Sequence, residues 1–237
     1  MGKLVKLFDR TFYPQYADGW DNRLFRCQVL KHLSKNIKLL DLGAGAGISK
    51  QMNFKNSAAS VDGVDLDRRV LKNPYLDEAK VSSVETLTYN DASFDVVICN
   101  NVLEHLSSPL LVFKEVYRVL RPGGFFIMKT PNKFHYVPVL ARLTPYWFHR
   151  FYNKIRGRQE VDTFPVIYKI NSYNDIVRNA KKSGFKIESI EITEGRPEYL
   201  RINFLFYLFG ILYEKLVNSS KFFKNFRVLI IAVLRKE

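Results

Sequence analysis

Three alternating glycines flanked by two aspartates carry the clearest chemical signal in the chain. Asp41-Leu42-Gly43-Ala44-Gly45-Ala46-Gly47 follows the apolar pair Leu39-Leu40, and Asp65 closes the run Ser60-Val61-Asp62-Gly63-Val64. A glycine turn lets backbone approach a ligand closely, because no Cβ intervenes. A helix opening just after the turn would aim unpaired N–H groups at the same place. A carboxylate at the end of the next strand can accept hydrogen bonds from ribose hydroxyls. The combination points to a nucleotide-type cofactor site at the edge of a parallel sheet.

The spacing narrows the ligand. A dinucleotide fingerprint, G-x-G-x-x-G, needs its third glycine at 48 or 50, where Ile48 and Lys50 stand. A phosphate loop needs a Gly-Lys-Ser/Thr run, which is missing. The pattern is G-x-G-x-G with Asp41 two residues upstream, and it suits a ligand carrying an ammonium group better than a pyrophosphate. A nicotinamide-dependent oxidoreductase is disfavoured on this ground. Outside the loop, His105 is the best candidate for a general base, since an unperturbed imidazole titrates in the right range. The competing role for Glu104-His105 is the structural start of a helix. Cys27 and Cys99 have no metal or redox spacing, so no metal site, iron–sulfur cluster or disulfide framework is expected.

Alternating strand-like and helix-like runs must position these groups, which implies an α/β fold with a parallel sheet and crossover helices. The expected strands are 37–42, 60–65, 79–82, 94–99, 125–129, 186–193 and 226–234. Expected helices are 22–34, with Leu24, Phe25, Val29, Leu30 and Leu33 inward, and 109–120, with Leu111, Val112, Val116 and Val119 inward. A third helix spans 172–183 and is closed by Gly184. Pro122-Gly123-Gly124 reads as a turn. A long insertion, 197–225, contains the aromatic run 204–213. That run is too short to cross a bilayer. It reads either as a buried lid helix or as a membrane-facing one, because its apolar residues occupy nearly all sides.

Asp41 to Gly47 resembles motif I of class I S-adenosylmethionine-dependent methyltransferases, and Val61-Asp62-Gly63-Val64-Asp65 resembles their second motif. Ser93-Phe94-Asp95-Val96-Val97 with Val102-Leu103-Glu104-His105-Leu106 is similar to their fourth-strand segment. Glu115 to Gly124, followed by Thr130-Pro131-Asn132, is similar to the helix, turn and strand that come next. The match runs from about 37 to 132 and is nearest to the group holding ubiquinone and menaquinone biosynthesis and glycan- and lipid-tailoring methyltransferases. The resemblance implies a Rossmann-like seven-stranded sheet, mostly parallel, with helices on both faces, the last strand antiparallel and a helical insertion between the last two strands. It implies S-adenosylmethionine as cofactor, with Gly43, Ala44, Gly45 and Gly47 along the methionine part and Asp41 facing its amine. Asp65 would hold the ribose, and Leu66 would flank the adenine. Ser83, beside Val84, stands where many relatives carry an aspartate toward the adenine amine. Asn100 and Asn101 would lie beside the methionine moiety. His135 and Tyr136 are candidates for the acceptor side, and Tyr13 or Trp20 for a contact with the sulfonium. The domain plan is an N-terminal helical cap, 1–36, and a methyltransferase domain, 37–237, with 133–171 and 197–225 as substrate-side insertions.

The expected acceptor is a small molecule, lipid or glycan precursor, methylated on oxygen, nitrogen or carbon. The alternatives are a non-catalytic S-adenosylmethionine-binding partner subunit and an RNA methyltransferase. Base amino-methyltransferases are disfavoured, because Cys99-Asn100-Asn101-Val102 stands where their Asn/Asp-Pro-Pro-Tyr signature belongs. The 237 residues carry a formal net charge of +14, with basic residues interleaved with aromatics in 146–160 (His149, Arg150, Lys154, Arg156 and Arg158) and in the tail from Lys215. An anionic membrane surface is therefore a candidate partner and nucleic acid a minor one. No signal peptide is read at the N-terminus, so the expected location is the cytoplasm, with peripheral attachment to the inner face of the membrane as an option.

Overall fold

A computed structural model describes residues 2–16, 19–143 and 166–237. The basic stretch 146–160 lies outside the described residues. Seven strands form one sheet: β1 (Lys38–Leu42), β2 (Ser60–Asp65), β3 (Glu78–Val81), β4 (Phe94–Asn100), β5 (Leu120–Pro131), β6 (Phe185–Thr193) and β7 (Leu229–Lys236). Their order is β3-β2-β1-β4-β5-β7-β6. β1 pairs in parallel with β2 and β4, β2 with β3, and β4 with β5. The last strands run antiparallel. Order reverses between β1 and β4, and the carboxyl ends of strands at such a switch point form the natural ligand crevice of an open α/β sheet.

Consecutive residues are buried along the central strands: Leu39 to Leu42 in β1, Val96 to Cys99 in β4 and Phe126 to Thr130 in β5. Neighbouring side chains on a strand point to opposite faces, so both faces of the sheet are covered. Six helices are described: α1 (Lys3–Phe12), α2 (Trp20–Leu30), α3 (Pro109–Val119), α4 (Tyr136–Leu143), α5 (Tyr173–Lys182) and α6 (Phe204–Ser219). α3 starts with proline in its first turn, where the missing N–H costs nothing. α5 is capped by Ser172, whose hydroxyl accepts from the Asp175 N–H, and Gly184 follows its end at φ +84°.

Several sequence expectations shift. No α-helix follows the glycine turn; the chain makes one short 3-10 turn, Lys50–Met52. This segment has no apolar stripe at helical spacing, and the Arg26 guanidinium takes the carbonyls of Gln51 and Asn53. Pro122-Gly123-Gly124 lies inside β5 instead of ending before it. The register against β4 shifts there, and Gly123 sits at φ +81°, so the three residues form an irregularity within a paired strand. Phe226 belongs to the 3-10 segment Lys221–Phe226, and β7 begins only at Leu229. In α2, Phe25 and Val29 are buried, whereas Leu24 and Leu30 are exposed. In α3, Leu111 is 50% exposed and Phe113 takes the inward place, with its ring centroid 5.4 Å from Phe126 and 6.3 Å from Phe185.

The chain divides into two compact units. One comprises 1–20, 131–166 and 192–229; the other comprises 21–130, 167–191 and 230–237. The division falls between Trp20 and Asp21, so α2 joins the sheet-bearing unit. In the first unit, Val5 and Tyr13 pack with Tyr207 and Ile211 of α6, flanked by Phe8 and Tyr16. Asp9 is the polar centre of this unit, accepting from Tyr207 Oη and Arg201 at 2.6 Å each, with Arg196 3.7 Å away.

The repacked α3 gives a direct test. Phe113→Ala should cost about 3–5 kcal/mol of unfolding free energy, and Leu111→Ala less than about 1 kcal/mol. Chemical denaturation of the two variants measures both. Equal losses would contradict the inward assignment of Phe113.

Candidate functional site

β1 ends at Leu42, and the chain then takes three left-handed steps: Gly43 at φ +71°, Gly45 at φ +55° and Gly47 at φ +72°. Side chains rarely tolerate this region, which is why glycine stands at each. A Cβ at Gly43 would lie 2.2 Å from Val102 Cγ2, and one at Gly47 would lie 2.4 Å from Asn73 Oδ1. A Cβ at Gly45 would meet only Asp65 Oδ2 at 4.0 Å. The outer glycines are thus packed against protein, and the middle one borders open space.

Two side chains hold the loop in this shape. Asp65 Oδ2 accepts from the Gly45 N–H at 2.8 Å, and its Oδ1 accepts from the Asp67 N–H at 2.8 Å. Asn73 donates Nδ2 to the carbonyls of Ala44 and Gly45 at 3.0 and 3.1 Å, while its Oδ1 accepts from the Tyr75 N–H. An ionised carboxylate has about four acceptor positions, so Asp65 keeps capacity for a further donor. Asp41 is 5% exposed. Burial, reinforced by the neighbouring Asp65 charge, pushes its carboxyl up to about 8.

At the carboxyl ends of β4 and β5 lies a network that sequence reasoning did not find. The Lys129 side chain is fully buried and donates to Asp21 Oδ2 at 2.7 Å and to Asn22 Oδ1. Asn100 Nδ2 donates to the same Asn22 oxygen at 3.3 Å and lies 3.2 Å from Met52 Sδ. Asn100 Oδ1 is buried and has no hydrogen-bond partner. Burial lowers the Lys129 ammonium, with Asp21 pulling the other way. The network therefore anchors the first turn of α2 beside the glycine loop's strand neighbours. Asp21 and Asn22 lie over 100 residues from Lys129, and nothing local in the sequence marks the pairing.

The remaining expected residues fall as follows. Leu66 follows β2 and is 72% exposed. Ser83 and Val84 follow β3, where Ser83 Oγ accepts from the Glu85 N–H at 3.1 Å. Asn101 adopts φ +56° and donates its N–H to the Lys129 carbonyl at 2.9 Å. His105 ends the 3-10 turn Leu103–His105, half-buried, with its N–H on the Val102 carbonyl at 3.0 Å. Its neighbour Glu104 is buried, and its Oε2 accepts from Thr130 Oγ1, which in turn accepts from Asn171 Nδ2. Burial raises the Glu104 carboxyl.

His135 and Tyr136 belong to the other unit. His135 is 1% exposed, with Nδ1 accepting from the Val137 N–H at 3.4 Å and Nε2 lying 3.4 Å from Glu194 Oε2. Its ring packs on Tyr136 and Tyr213. Burial drives the imidazole down to about 3 and the Glu194 carboxyl up to about 8, so both groups favour their neutral forms near neutral pH. Trp20 is buried and packs edge-on against Tyr16, with Tyr13 stacked on Tyr207.

Residues 40–128 match a protein family described as a methyltransferase domain. The glycine loop, Asp65, Asn100 and His105 all fall within that match. This segment is thus similar to a methyltransferase domain. A malonyl-[acyl-carrier protein] O-methyltransferase of Marinomonas sp. is 31% identical over 142 residues, covering 54% of this chain and 51% of that protein. A ubiquinone biosynthesis O-methyltransferase of Psychrobacter cryohalolentis is 31% identical over 107 residues, covering 40% of this chain and 41% of that protein. The chain thus spans about half the length, or less, of these curated relatives. Among solved structures, an S-adenosylmethionine-dependent methyltransferase from Mesorhizobium loti superposes with a TM-score of 0.58 at 17% identity, covering 93% of this chain and 98% of that one. At that identity the likeness establishes the fold.

The methyltransferase domain fits S-adenosylmethionine on its own geometry. Asp41 would offer a carboxyl to the ammonium, Asp65 would have spare acceptor positions for ribose hydroxyls, Gly45 would leave room along the loop, and the Asn100 oxygen lacks a donor among the described residues.

Two predictions follow from these groups. Asp21→Ala strands the buried Lys129 charge and should cost about 3–5 kcal/mol, whereas Lys129→Met removes charge and demand together and should cost far less; thermal or urea unfolding separates them. An ammonium placed beside Asp41 would favour its ionised form and lower its pKa. S-adenosylmethionine binding below pH 8 should therefore release a proton and tighten as pH rises toward about 8. Calorimetry in buffers of different ionisation enthalpy reads the proton, and Asp41→Asn should abolish both effects.

Proposed function

We propose that the protein transfers a methyl group from S-adenosylmethionine to an oxygen or nitrogen, or a carbon, of a small molecule, lipid or glycan precursor. One observation carries the cofactor half: three left-handed glycines after β1, locked by Asp65 at the end of β2, beside the buried carboxyl of Asp41. The names of the two relatives, a malonyl-[acyl-carrier protein] O-methyltransferase and a ubiquinone biosynthesis O-methyltransferase, support oxygen as the acceptor atom.

The cofactor, when bound, supplies an activated methyl group on a sulfonium. The protein then has to hold it, align the acceptor and take up a proton where the acceptor is a hydroxyl or amine. Holding is assigned to Asp41, Gly43, Ala44, Gly45, Gly47, Asp65 and Asn100, with Leu66, Ser83, Val84 and Asn101 around them. The proton is assigned to His105. Its backbone is fixed by the 3-10 turn after β4, and the neighbouring Glu104–Thr130–Asn171 chain ties that turn to the end of β5.

Incubating the protein with methyl-tritiated S-adenosylmethionine and fractionated cell extract tests the reading. Label should appear in an extractable small product, and organic against aqueous partition of that product separates lipid acceptors from soluble ones. His105→Gln should lower turnover by about a hundredfold or more while calorimetric cofactor binding stays unchanged. Tight cofactor binding with no labelled product from any fraction would instead identify a non-catalytic subunit. Wild-type turnover in His105→Gln would remove the base from the scheme.

A further inference from the structure

α6 is apolar on two opposite faces, and among the described residues only one of them is packed. Tyr207, Gly210, Ile211 and Val217 face inward; Gly210 lies so close to Pro197 that a Cβ would come within 2.7 Å of it. The other face carries Leu205, Leu208, Phe209, Leu212 and Leu216, at the spacing of one helical stripe. Phe209 is 58% exposed and Leu212 59%. α1 lies alongside, with Phe8 6.1 Å from Phe204, and exposes Leu4 and Leu7. Phe222, in the 3-10 segment after α6, is 80% exposed. A run of large exposed apolar side chains this long marks a surface that meets something.

Charge identifies what it meets. Among the described residues of this unit, every acid is already engaged by a neighbour. Asp9 and Glu198 are bound to Arg196 and Arg201, Glu194 is buried beside His135, and Glu214 accepts from Tyr13 and Asn218. Lys3, Lys6 and Arg10 on α1, with Lys215, Lys221 and Lys224 on and after α6, are exposed. The elements that expose leucine therefore also expose an excess of positive charge. Two copies meeting through this face would bring like charges together, which costs several kcal/mol. Anionic headgroups would match the bases while acyl chains receive the leucines. No helix among the described residues is long and apolar enough to cross a membrane, and α6 has 16 residues. Such a helix lies in the plane of the interface instead of spanning it.

We propose that the exposed faces of α6 and α1 form a docking surface for an anionic lipid bilayer. Leu205, Phe209, Leu212 and Leu216 enter the headgroup–acyl boundary, and the lysines and arginine of the two helices contact lipid phosphates. This surface is independent of the methyl-transfer reading, since it involves none of the residues assigned to cofactor or proton transfer. Either can fail without the other.

Flotation of the full chain with vesicles of equimolar phosphatidylcholine and phosphatidylglycerol is the test. At low salt the protein should float with these vesicles and stay down with phosphatidylcholine alone. Phe209→Ser with Leu212→Ser should lower the partition coefficient by about tenfold or more, with the far-ultraviolet circular dichroism spectrum unchanged. Lys215→Glu with Lys221→Glu should lower it by at least about fivefold per charge, and raised salt should do the same. If the serine variant loses its folded spectrum, the glutamate variant and the salt series decide. Failure to float, or flotation unchanged by the glutamate pair and by salt, overturns the proposal. So does a dimer in sedimentation velocity that the serine pair dissociates, because that would assign the face to a second copy.

Discussion

The Asp65 carboxylate fixes the distance between the end of β1 and the end of β2. One of its oxygens takes the Gly45 N–H and the other the Asp67 N–H. A loop of glycines has little conformational preference of its own and loses more entropy on ordering than any other sequence. It becomes a defined surface only because Asp65 restrains it from one side and Asn73 from the other. The order β2-β1-β4 puts this restrained loop at the switch point of the sheet. Asp41, one residue before the end of β1, is then buried on both sides by parallel neighbours. The raised carboxyl of Asp41 and the close approach of the glycine backbone are two consequences of one arrangement.

A second restraint complements the first. Lys129 is the last buried cation of β5, and it pairs with the first turn of α2 through Asp21 and Asn22. Asn22 in turn accepts from Asn100 at the end of β4. The ends of β4, β5 and α2 therefore share one chain of hydrogen bonds, and the one member left unsatisfied is the Asn100 oxygen. Buried polar atoms in folded proteins nearly always have partners, so an unsatisfied one beside a restrained glycine loop is evidence of a ligand's place. Together with Asp41 and Asp65 it gathers acceptors at the carboxyl ends of β1, β2 and β4, which suits a cationic ligand better than a phosphate.

How far the sequence disclosed this depended on the range of each interaction. A β-branched run gave β4 to within a residue, because a central strand buried on both faces reads as nearly continuously apolar. The glycine spacing alone departs from a dinucleotide fingerprint. Local patterns misled where tertiary contacts decide. Pro122-Gly123-Gly124 has turn chemistry but is held in β5 by pairing with β4. Leu111 and Phe113 compete for one inward direction of α3, and the aromatic pocket of Phe126 and Phe185 takes the phenylalanine. Asn73, Asp21 and Asn22 carried no readable signal, since each acts on residues more than twenty positions away.

The same distinction explains why the aromatic helix was ambiguous. Apolar residues on all sides of α6 fit a buried helix and an interfacial one equally well. Among the described residues one side packs, where Tyr207 and Ile211 meet Val5 and Tyr13, and the other is exposed. Tyr207 also spends its hydroxyl on Asp9, which draws Arg196 and Arg201 inward. The aromatic cluster therefore engages Asp9 and Glu214 as well as half of α6. What is left facing outward is apolar surface among exposed lysines, and that asymmetry arises from the packing of the opposite face.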